Sequence, residues 1–526
     1  MRRRMITATL ALVMLAVLTA CEPYDRLRAY FTDSGDVQAT AEPIEPGKVA
    51  NTIAVGMYDF DTFNPLLTRS QTVREAMEFV YEPLFTLNEL VQPEPVLASD
   101  YGMSADGRTA VINLRSDVQW HDGTGFNAYD AAYTIRMIKE GGTEYTGALD
   151  DVADWSVTGD YQLTVSFTHP VPNAGALFTF PIIQYGTVMD GGSGYTPIGT
   201  GPFAYSGKIS TDRYMLNAFD YYYGGRAAID GVYIDLCPDA EHYIYMYSAG
   251  AFDVATSDTV DLRTYTPKGS VYLNEFVGGR LTFLGINHQK PELYGVNTRK
   301  ALSDIIDKDD IVSSVMYSRA EATDVPINPS FWLYDGGITA EDNVGADEHL
   351  RIDGWVNADG QGYRRNINGQ QQMLTLELLV NGDSQEKKAI ADKIAAALGS
   401  YGITAVVTAL PYDQYTARVE ARQYDIFIGE LEIAPTQDFT ELLGGGNMFN
   451  YGNDSINTLI TQIGMTSDAE ALRTLYSELA SAFCNDMPFV PLFYAKEYML
   501  SSPRLGDLRC PSISGFYRLP GGWKIT

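Results

Sequence analysis

Two glutamates, Glu430 and Glu432, form the most suggestive pair of chemical groups in the sequence. They lie two residues apart at the end of an apolar segment that begins at Tyr424. If this segment is a β-strand, both carboxylates point to the same face of it. Such a pair could hold a cationic group or could act as the acid and base of a glycosidase, whereas a solvated strand end needs no ligand. The pair therefore marks a candidate site without defining a reaction.

Motifs that would indicate an enzyme are absent from the sequence. It contains no G-x-S-x-G, H-E-x-x-H or G-x-x-x-x-G-K pattern. Asp307, Asp309 and Asp310 lack the glycine and the distal glutamate of an EF-hand loop. The His121–Asp122 pair lies in a glycine-rich turn, where aspartate commonly bonds to the backbone. We therefore predict a protein that is not an enzyme and that has no cofactor and no metal site.

The chain around the acidic pair alternates predicted strands and helices. Strand–helix–strand–helix–strand within about 60 residues favours parallel strands joined by right-handed crossovers. Ligands of such sheets bind beyond the carboxyl ends of the strands, which is where Glu430 and Glu432 lie. The predicted strands are 374–380, 403–409 and 424–431, and the predicted helices are 386–398 and 412–421.

The composition excludes whole classes of partner. Asp and Glu number 67 against 37 Lys and Arg, which gives the 526-residue chain a formal net charge of −30. Such an acidic surface repels the phosphates of nucleic acids and the anionic headgroups of membranes. We therefore predict no nucleic-acid partner, and any attachment to a membrane has to be covalent or hydrophobic.

The first 48 residues have the pattern of an export leader followed by a tether. Arginines at 2–4 precede an apolar run at 6–17 that is too short to span a bilayer. Small residues then precede Cys21, as in a bacterial lipobox, so residues 1–20 are predicted to be a lipoprotein signal peptide and Cys21 to carry the lipid. The alternative is a plain secretory leader with an incidental cysteine. Residues 21–48 are polar and acidic and predict a flexible tether. The expected location is the outer face of the cytoplasmic membrane, in the cell envelope, held by the lipid anchor.

Three cysteines remain after the predicted cleavage. Outside the cell a disulfide is possible, and position along the chain favours Cys484 with Cys510 over pairs that include Cys237. The sequence alone does not decide whether this bond forms.

Four segments resemble, in the same order along the chain, the patterns of one protein family. Residues 104–134 contain a strand ending in Leu-Arg, then W-H-D-G-T and a helix start, and residues 199–225 contain G-T-G-P and a Y-Y-Y-G-G turn. Residues 284–311 and 487–499 match a later helical segment and a returning C-terminal strand. Together the segments resemble family 5 of the extracellular solute-binding proteins of bacterial ABC importers, the type that binds oligopeptides, dipeptides or nickel.

This resemblance implies an α/β fold, the two-lobed type II (cluster C) periplasmic-binding-protein fold with an extra subdomain in the first lobe. The lobes would be joined by strands that cross near 279–285 and 491–494, and they would close over the ligand about this hinge. The first lobe would consist of residues 49–78, the extra subdomain at 79–184, residues 185–278 and the returning C-terminal segment at 491–526. Residues 279–490 would form the second lobe.

The resemblance also suggests ligand-binding residues. Peptide-binding members carry a Trp and an Asp after the third strand of the second lobe, and the Asp binds the ammonium group of the peptide. In this chain Glu430 stands in place of the Trp. Glu432 could bind the ammonium group as the Asp does. Tyr412 falls where the family often places a cleft aromatic residue. Analogy alone places four further residues at the site: Gln71, Arg280, Phe283 and Phe493. Trp332 could line the mouth of the cleft, although plain loop packing explains it equally well.

We therefore predict a monomeric, lipid-anchored receptor that captures an oligopeptide-like solute by hinge closure and delivers it to the permease and ATPase subunits of an ABC importer. Two alternatives stay open. The same fold could bind a non-peptide solute such as an oligosaccharide, an opine or a metal chelate, or the protein could be a surface sensor or structural lipoprotein that transports nothing.

Overall fold

The computed structural model describes residues 51–525, except for 190, 193–194, 258–271, 341–343, 506–516 and 518–521. The predicted signal peptide, the tether and Cys21 lie outside the described residues, as does Cys510. Cys237 and Cys484 are both buried and both free. Within the described part of the chain, no helix is long and apolar enough to cross a membrane.

The described residues form nineteen strands. They are β1 (Thr52–Met57), β2 (Phe85–Leu87), β3 (Pro93–Pro95), β4 (Ala98–Met103), β5 (Thr109–Leu114), β6 (Val152–Gly159), β7 (Gln162–Phe167), β8 (Phe203–Ser210), β9 (Arg213–Ala218), β10 (Gly231–Leu236), β11 (Val254–Ser257), β12 (Tyr272–Ile286), β13 (Ala320–Ala322), β14 (Arg364–Ile367), β15 (Gln370–Met373), β16 (Thr375–Asn381), β17 (Thr404–Leu410), β18 (Ile426–Glu432) and β19 (Val490–Ser501).

Eleven α-helices accompany these strands in the described part of the chain. They are α1 (Gln71–Met77), α2 (Ala128–Glu140), α3 (Ala240–Ser248), α4 (Val296–Ile305), α5 (Lys308–Ser314), α6 (Ala346–Ile352), α7 (Gln385–Ser400), α8 (Tyr412–Glu420), α9 (Thr440–Leu443), α10 (Asp454–Met465) and α11 (Ala469–Asp486).

One sheet of eleven strands runs through both lobes. Its order is β17-β16-β18-β12-β19-β11-β1-β10-β9-β8, and β13 pairs with β19 beside this path. By the predicted boundaries, the first lobe contributes β11, β1, β10, β9 and β8, and the second contributes β16, β17 and β18. The two longest strands, β12 with 15 residues and β19 with 12, lie antiparallel in the middle and belong to both lobes. They include the predicted crossing segments 279–285 and 491–494.

The predicted strand–helix–strand–helix–strand unit of the second lobe is confirmed. β16 pairs in parallel with both β17 and β18, and α7 and α8 make the connections. Ser384 caps α7 by accepting a hydrogen bond from the N–H of Lys387. The observed elements begin and end within two residues of the predicted bounds, because apolar strand runs and helix-capping residues alternate cleanly here.

A separate four-stranded antiparallel sheet, in the order β4-β5-β7-β6, lies within the predicted extra subdomain. Inward residues alternate along β5 and β7, and α2 packs against the sheet. Asn127 and Asp130 form a capping box at the start of α2. These are residues of the 104–134 segment, so the family-like pattern there specifies a sheet, a turn and a capped helix.

The described residues form two large apolar cores. The first lies under β1, the four-stranded sheet and α2, and Met499 and Trp523 from the C-terminal segment return to it. The second surrounds β12, β16 and α11. It also includes Leu87, Val91 and Ala176 of the predicted extra subdomain. That subdomain therefore contacts the second lobe as well as the first, while the predicted domain boundaries themselves stay predictions.

Candidate functional site

The candidate site lies where β12 passes from one lobe to the other. Three residues of β12, Gly278–Arg280, stand opposite a single residue of β19, so the strand bulges at this point. A Cβ atom on Gly279 would come within 2.0 Å of Oε1 of Glu432, and one on Gly278 within 2.6 Å of Oε1 of Glu497. The two glycines therefore allow two carboxylates to lie directly against the backbone of the crossing strand.

Buried polar residues fix this bulge in place. Asn328 donates a hydrogen bond from Nδ2 to the carbonyl oxygen of Gly278 at 2.8 Å, and the N–H of Ile433 donates to the carbonyl oxygen of Gly279 at 2.9 Å. Oε1 of Gln437 accepts the N–H of Asn328 at 2.9 Å, and both side chains are buried. Because the backbone groups are satisfied internally, Glu432 extends from a rigid framework.

Glu430 has a different environment from Glu432. Its carboxylate forms an ion pair with Lys387 at the start of α7, and Thr282 donates a hydrogen bond from Oγ1 to Oε2 of Glu430 at 3.4 Å. The Lys387 side chain is 13% exposed and that of Glu430 37% exposed. The charge of Glu430 is thus already balanced within the second lobe by Lys387.

Tyr412 follows β17 and lies at the carboxyl edge of the parallel strands. It is 60% exposed, and its backbone N–H donates to Oδ2 of Asp383, which follows β16. Burial raises the pKa of the neighbouring Tyr415, with a further contribution from the charges of Tyr412 and Glu430. Tyr412 and Glu430 therefore both lie near Tyr415 at this edge of the sheet.

Gln71 bonds to a glutamate of α1 that sequence reasoning missed, Glu75. Gln71 donates from Nε2 to Oε1 of Glu75 at 3.0 Å, and Thr256 of β11 donates to the other oxygen of Glu75. Glu75 is 4% exposed. Because β11 is next to β19 in the sheet, this buried carboxylate adjoins the first-lobe end of the crossing strands. Its sequence signal was an acid on the otherwise apolar face of α1.

The structure does not place Phe283 and Phe493 in an exposed site. Each is only 1% exposed. The ring of Phe283 packs against those of Phe427, Phe449 and Phe489, with centroids 5.2–5.8 Å apart. Both residues belong to the core of the second lobe, so we correct their assignment from ligand contact to packing. The central strands are buried on both faces, and analogy could not tell a core-facing side chain from a ligand-facing one.

Arg280 and Trp332 complete the predicted set. Arg280 is half-buried in the bulge and stands in register with Glu432 of β18. Trp332 is half-buried where the predicted lobes meet. Its backbone N–H donates a hydrogen bond to the carbonyl oxygen of Leu90, in the β2–β3 turn, at 2.8 Å. Its indole Nε1 is buried with no hydrogen-bond partner among the described residues.

Another carboxylate missed by sequence reasoning, Glu82, lies shortly after α1 and contacts the 199–225 segment. It is 5% exposed and accepts hydrogen bonds from Tyr222 Oη at 2.7 Å, Tyr223 Oη at 2.9 Å and Thr200 Oγ1 at 3.0 Å. The guanidinium of Arg115 lies over the Tyr223 ring, 4.3 Å from its centroid. Burial raises the pKa of Glu82 to about 7, although its three hydroxyl partners and Arg115 act in the opposite direction.

Comparison with known protein families matches residues 92–449 to the bacterial extracellular solute-binding proteins, family 5 middle. The oligopeptide-binding protein AppA of Bacillus subtilis is 20% identical over 486 residues, which cover 88% of this chain and 89% of that protein. The nickel-binding periplasmic protein of Escherichia coli is 24% identical over 485 residues, which cover 85% of this chain and 89% of that protein.

Solved structures show the same fold. That of HbpA2 from Haemophilus parasuis superimposes with a TM-score of 0.75 at 17% sequence identity, covering 90% of this chain and all of that one. The fold class implied by the four motif segments is thereby confirmed.

Proposed function

The chain belongs to family 5 of the bacterial extracellular solute-binding proteins, and we propose that it captures an oligopeptide-like solute for an ABC importer. As a member of this family it is a binding protein of an ABC transporter and not an enzyme. Its relatives include oligopeptide, dipeptide, nickel and heme binders, so membership leaves the solute open. The choice among solutes rests on the residues at the crossing strands.

The observation that carries the proposal is the position of Glu432. Its carboxylate lies over Gly279, at the point where both lobes share the same strand. A carboxylate makes a strong charge-assisted hydrogen bond to an ammonium group, and this bond strengthens as closure of the lobes removes water from around it. Glu497, which lies against the neighbouring Gly278, adds a second carboxylate at the crossing strands. A peptide with a free α-amino group supplies the complementary cation.

Hinge closure about β12 and β19 explains how the solute is retained. A ligand that contacts both lobes stabilises the closed state more than the open one and shifts the population accordingly. A hydrogen bond from the backbone N–H of Trp332 to the carbonyl oxygen of Leu90 joins the two predicted lobes. The closed receptor then docks on the permease, which the ATPase subunits drive.

We further propose that Cys21 carries the lipid anchor. Two or more acyl chains on one residue give stable attachment to a membrane without a spanning helix. Replacement Cys21→Ser should release the protein from the membrane fraction of its host, and mass spectrometry of the native N-terminus should find diacylglyceryl on Cys21. A native N-terminus that retains residues 1–20, or an unmodified Cys21, contradicts the anchor.

Native mass spectrometry of protein purified from its own host tests the solute. We expect a co-purifying peptide, and its titration by calorimetry then allows two variants to be compared. Glu432→Gln should weaken binding about tenfold or more, because it removes the charge that faces the ammonium group. Glu430→Gln is the matched control and should weaken it much less, since Lys387 already balances that charge.

Three outcomes contradict this proposal. The first is a bound solute without a cationic group, the second is unchanged affinity in Glu432→Gln, and the third is an equal loss in both variants. Small-angle scattering supplies an independent check, because the saturating solute should reduce the radius of gyration. An unchanged radius argues against hinge closure.

A further inference from the structure

A second cluster of ionisable side chains lies where the four-stranded sheet of the first lobe meets the second lobe. Asp151 precedes β6 and His169 follows β7, whereas Asp438 lies in the second lobe between β18 and α9. Nε2 of His169 is 3.1 Å from Oδ1 of Asp151 and 3.9 Å from Oδ2 of Asp438. One atom from each of the three residues lies within 4.8 Å of the others.

We propose that Asp151, His169 and Asp438 form a binding site for a divalent transition-metal cation such as Zn²⁺, and that the site is complete only when the lobes are closed. An imidazole nitrogen and carboxylate oxygens are ligands that Zn²⁺ prefers, at about 2.0–2.2 Å each. Three ligands plus a water complete a tetrahedral site. The observed separations therefore need only small movements of the side chains to place all three around one ion.

Hydrogen bonds orient two of the three ligands. Nδ1 of His169 lies 3.2 Å from the carbonyl oxygen of Pro170, which favours the tautomer that leaves the lone pair of Nε2 facing the carboxylates. Oδ1 of Asp438 accepts the N–H and the hydroxyl of Thr440 at 2.8 and 2.6 Å. Its other oxygen, Oδ2, is thereby directed toward His169. The carbonyl oxygen of Asp151 accepts the N–H of Thr168, which holds the histidine beside it.

The charge of the cluster favours a cation. The carboxylates of Asp151 and Asp438 both approach Nε2 of His169. Two carboxylates this close repel each other, and an ion of charge +2 relieves that repulsion. The side chain of Asp438 is only 11% exposed, which reduces competition from solvent.

The position of the cluster couples it to the hinge. Asp438 ends a segment that starts at Glu432, and Asn173 of the first lobe donates to the carbonyl oxygen of Pro435 in the same segment at 3.1 Å. Because neither lobe supplies all three ligands, the ion binds the closed form more tightly and stabilises it. By linkage, solute and cation each strengthen the binding of the other. This coupling rests on the proposed hinge closure, whereas binding of the ion does not depend on which solute is bound.

Calorimetric titration of the untagged, solute-free chain with ZnCl₂ tests the site. We expect one binding event that is lost or weakened about tenfold or more in His169→Gln and in Asp438→Asn. The matched control is His242→Gln, since His242 also faces an aspartate, Asp239, at 2.9 Å but within a single helix cap. This control should retain the affinity of the unaltered protein.

Several results would overturn the proposal. Absence of Zn²⁺ binding at submillimolar concentration, or unchanged affinity in His169→Gln, removes the site. Unchanged affinity for Zn²⁺ in Asp438→Asn would mean that the first lobe alone binds the ion. Binding of the ion would then not depend on closure of the lobes. The titration contains no solute, so its failure is distinguishable from failure of the peptide proposal at Glu432.

Discussion

Glu82 and Glu432 are both carboxylates at key positions of the same chain, yet their surroundings differ in every respect. Glu82 is buried and satisfied by three hydroxyl groups. Glu432 is exposed on the last residue of β18, against a glycine of the crossing strand. The arrangement around Glu82 is typical of a buried polar network that specifies a fold. The arrangement around Glu432 is typical of a ligand-binding site.

The family-like motifs converge on the first of these carboxylates. Arg115 comes from the Leu-Arg strand end, Thr200 from G-T-G-P, and Tyr222 and Tyr223 from the Y-Y-Y-G-G turn. Through its contacts with them, Glu82 joins segments that are far apart in sequence. The motifs by which the chain resembles its family therefore mark structure, whereas Glu432, the residue proposed to select the solute, lies outside them. This explains how one family can bind different solutes on one fold.

The largest effect should follow from removing the buried carboxylate. Glu82→Ala leaves the hydroxyls of Tyr222, Tyr223 and Thr200 without their acceptor, and we expect a loss of about 4 kcal/mol in the free energy of unfolding. Urea unfolding followed by circular dichroism measures this loss. Glu432→Gln should change the unfolding free energy by less than about 0.5 kcal/mol, because its side chain is exposed. Equal losses in the two variants would break the distinction between the sites.

The pH dependence of stability should also reflect Glu82. Its pKa is raised from the usual 4.5 to about 7 in the folded protein, so the folded state binds this proton more tightly than the unfolded chain does. The resulting stabilisation is complete below pH 4.5 and is lost as pH rises toward and through 7, by up to about 3 kcal/mol.

The free energy of unfolding should be measured at pH 5 and pH 8 for the unaltered protein and for Glu82→Gln. The difference between the two proteins isolates the contribution of Glu82, because all other groups titrate in both proteins. The unaltered protein should lose more stability than the variant over this interval. An identical pH dependence in both proteins would show that Glu82 has the same pKa folded and unfolded.

Local patterns predicted the second lobe well and its site only in part. The β16–β18 unit was predictable because its strands and helices follow one another within a short stretch, and their periodicity determines which edge carries Glu430 and Glu432. Phe283 was wrongly assigned because β12 is buried on both faces from residue 281 to 286 and offers no alternation there to distinguish them. The cluster of Asp151, His169 and Asp438 was missed, since nearly 300 residues separate its members and only the meeting of the lobes brings them together.

The smallest effect tests whether the place of the Glu432 carboxylate matters as well as its charge. In Gly279→Ala the new Cβ would lie 2.0 Å from Oε1 of Glu432, so this flexible side chain has to turn away. We expect little change in stability but a loss of solute affinity of about threefold to tenfold, up to about 1.4 kcal/mol, because the charge is displaced and not removed. Gly399→Ala is the control, since a Cβ there meets nothing within 4 Å. Unchanged affinity in Gly279→Ala would mean that the solute does not depend on the carboxylate held over the crossing strand, and would assign its recognition to another part of the cleft.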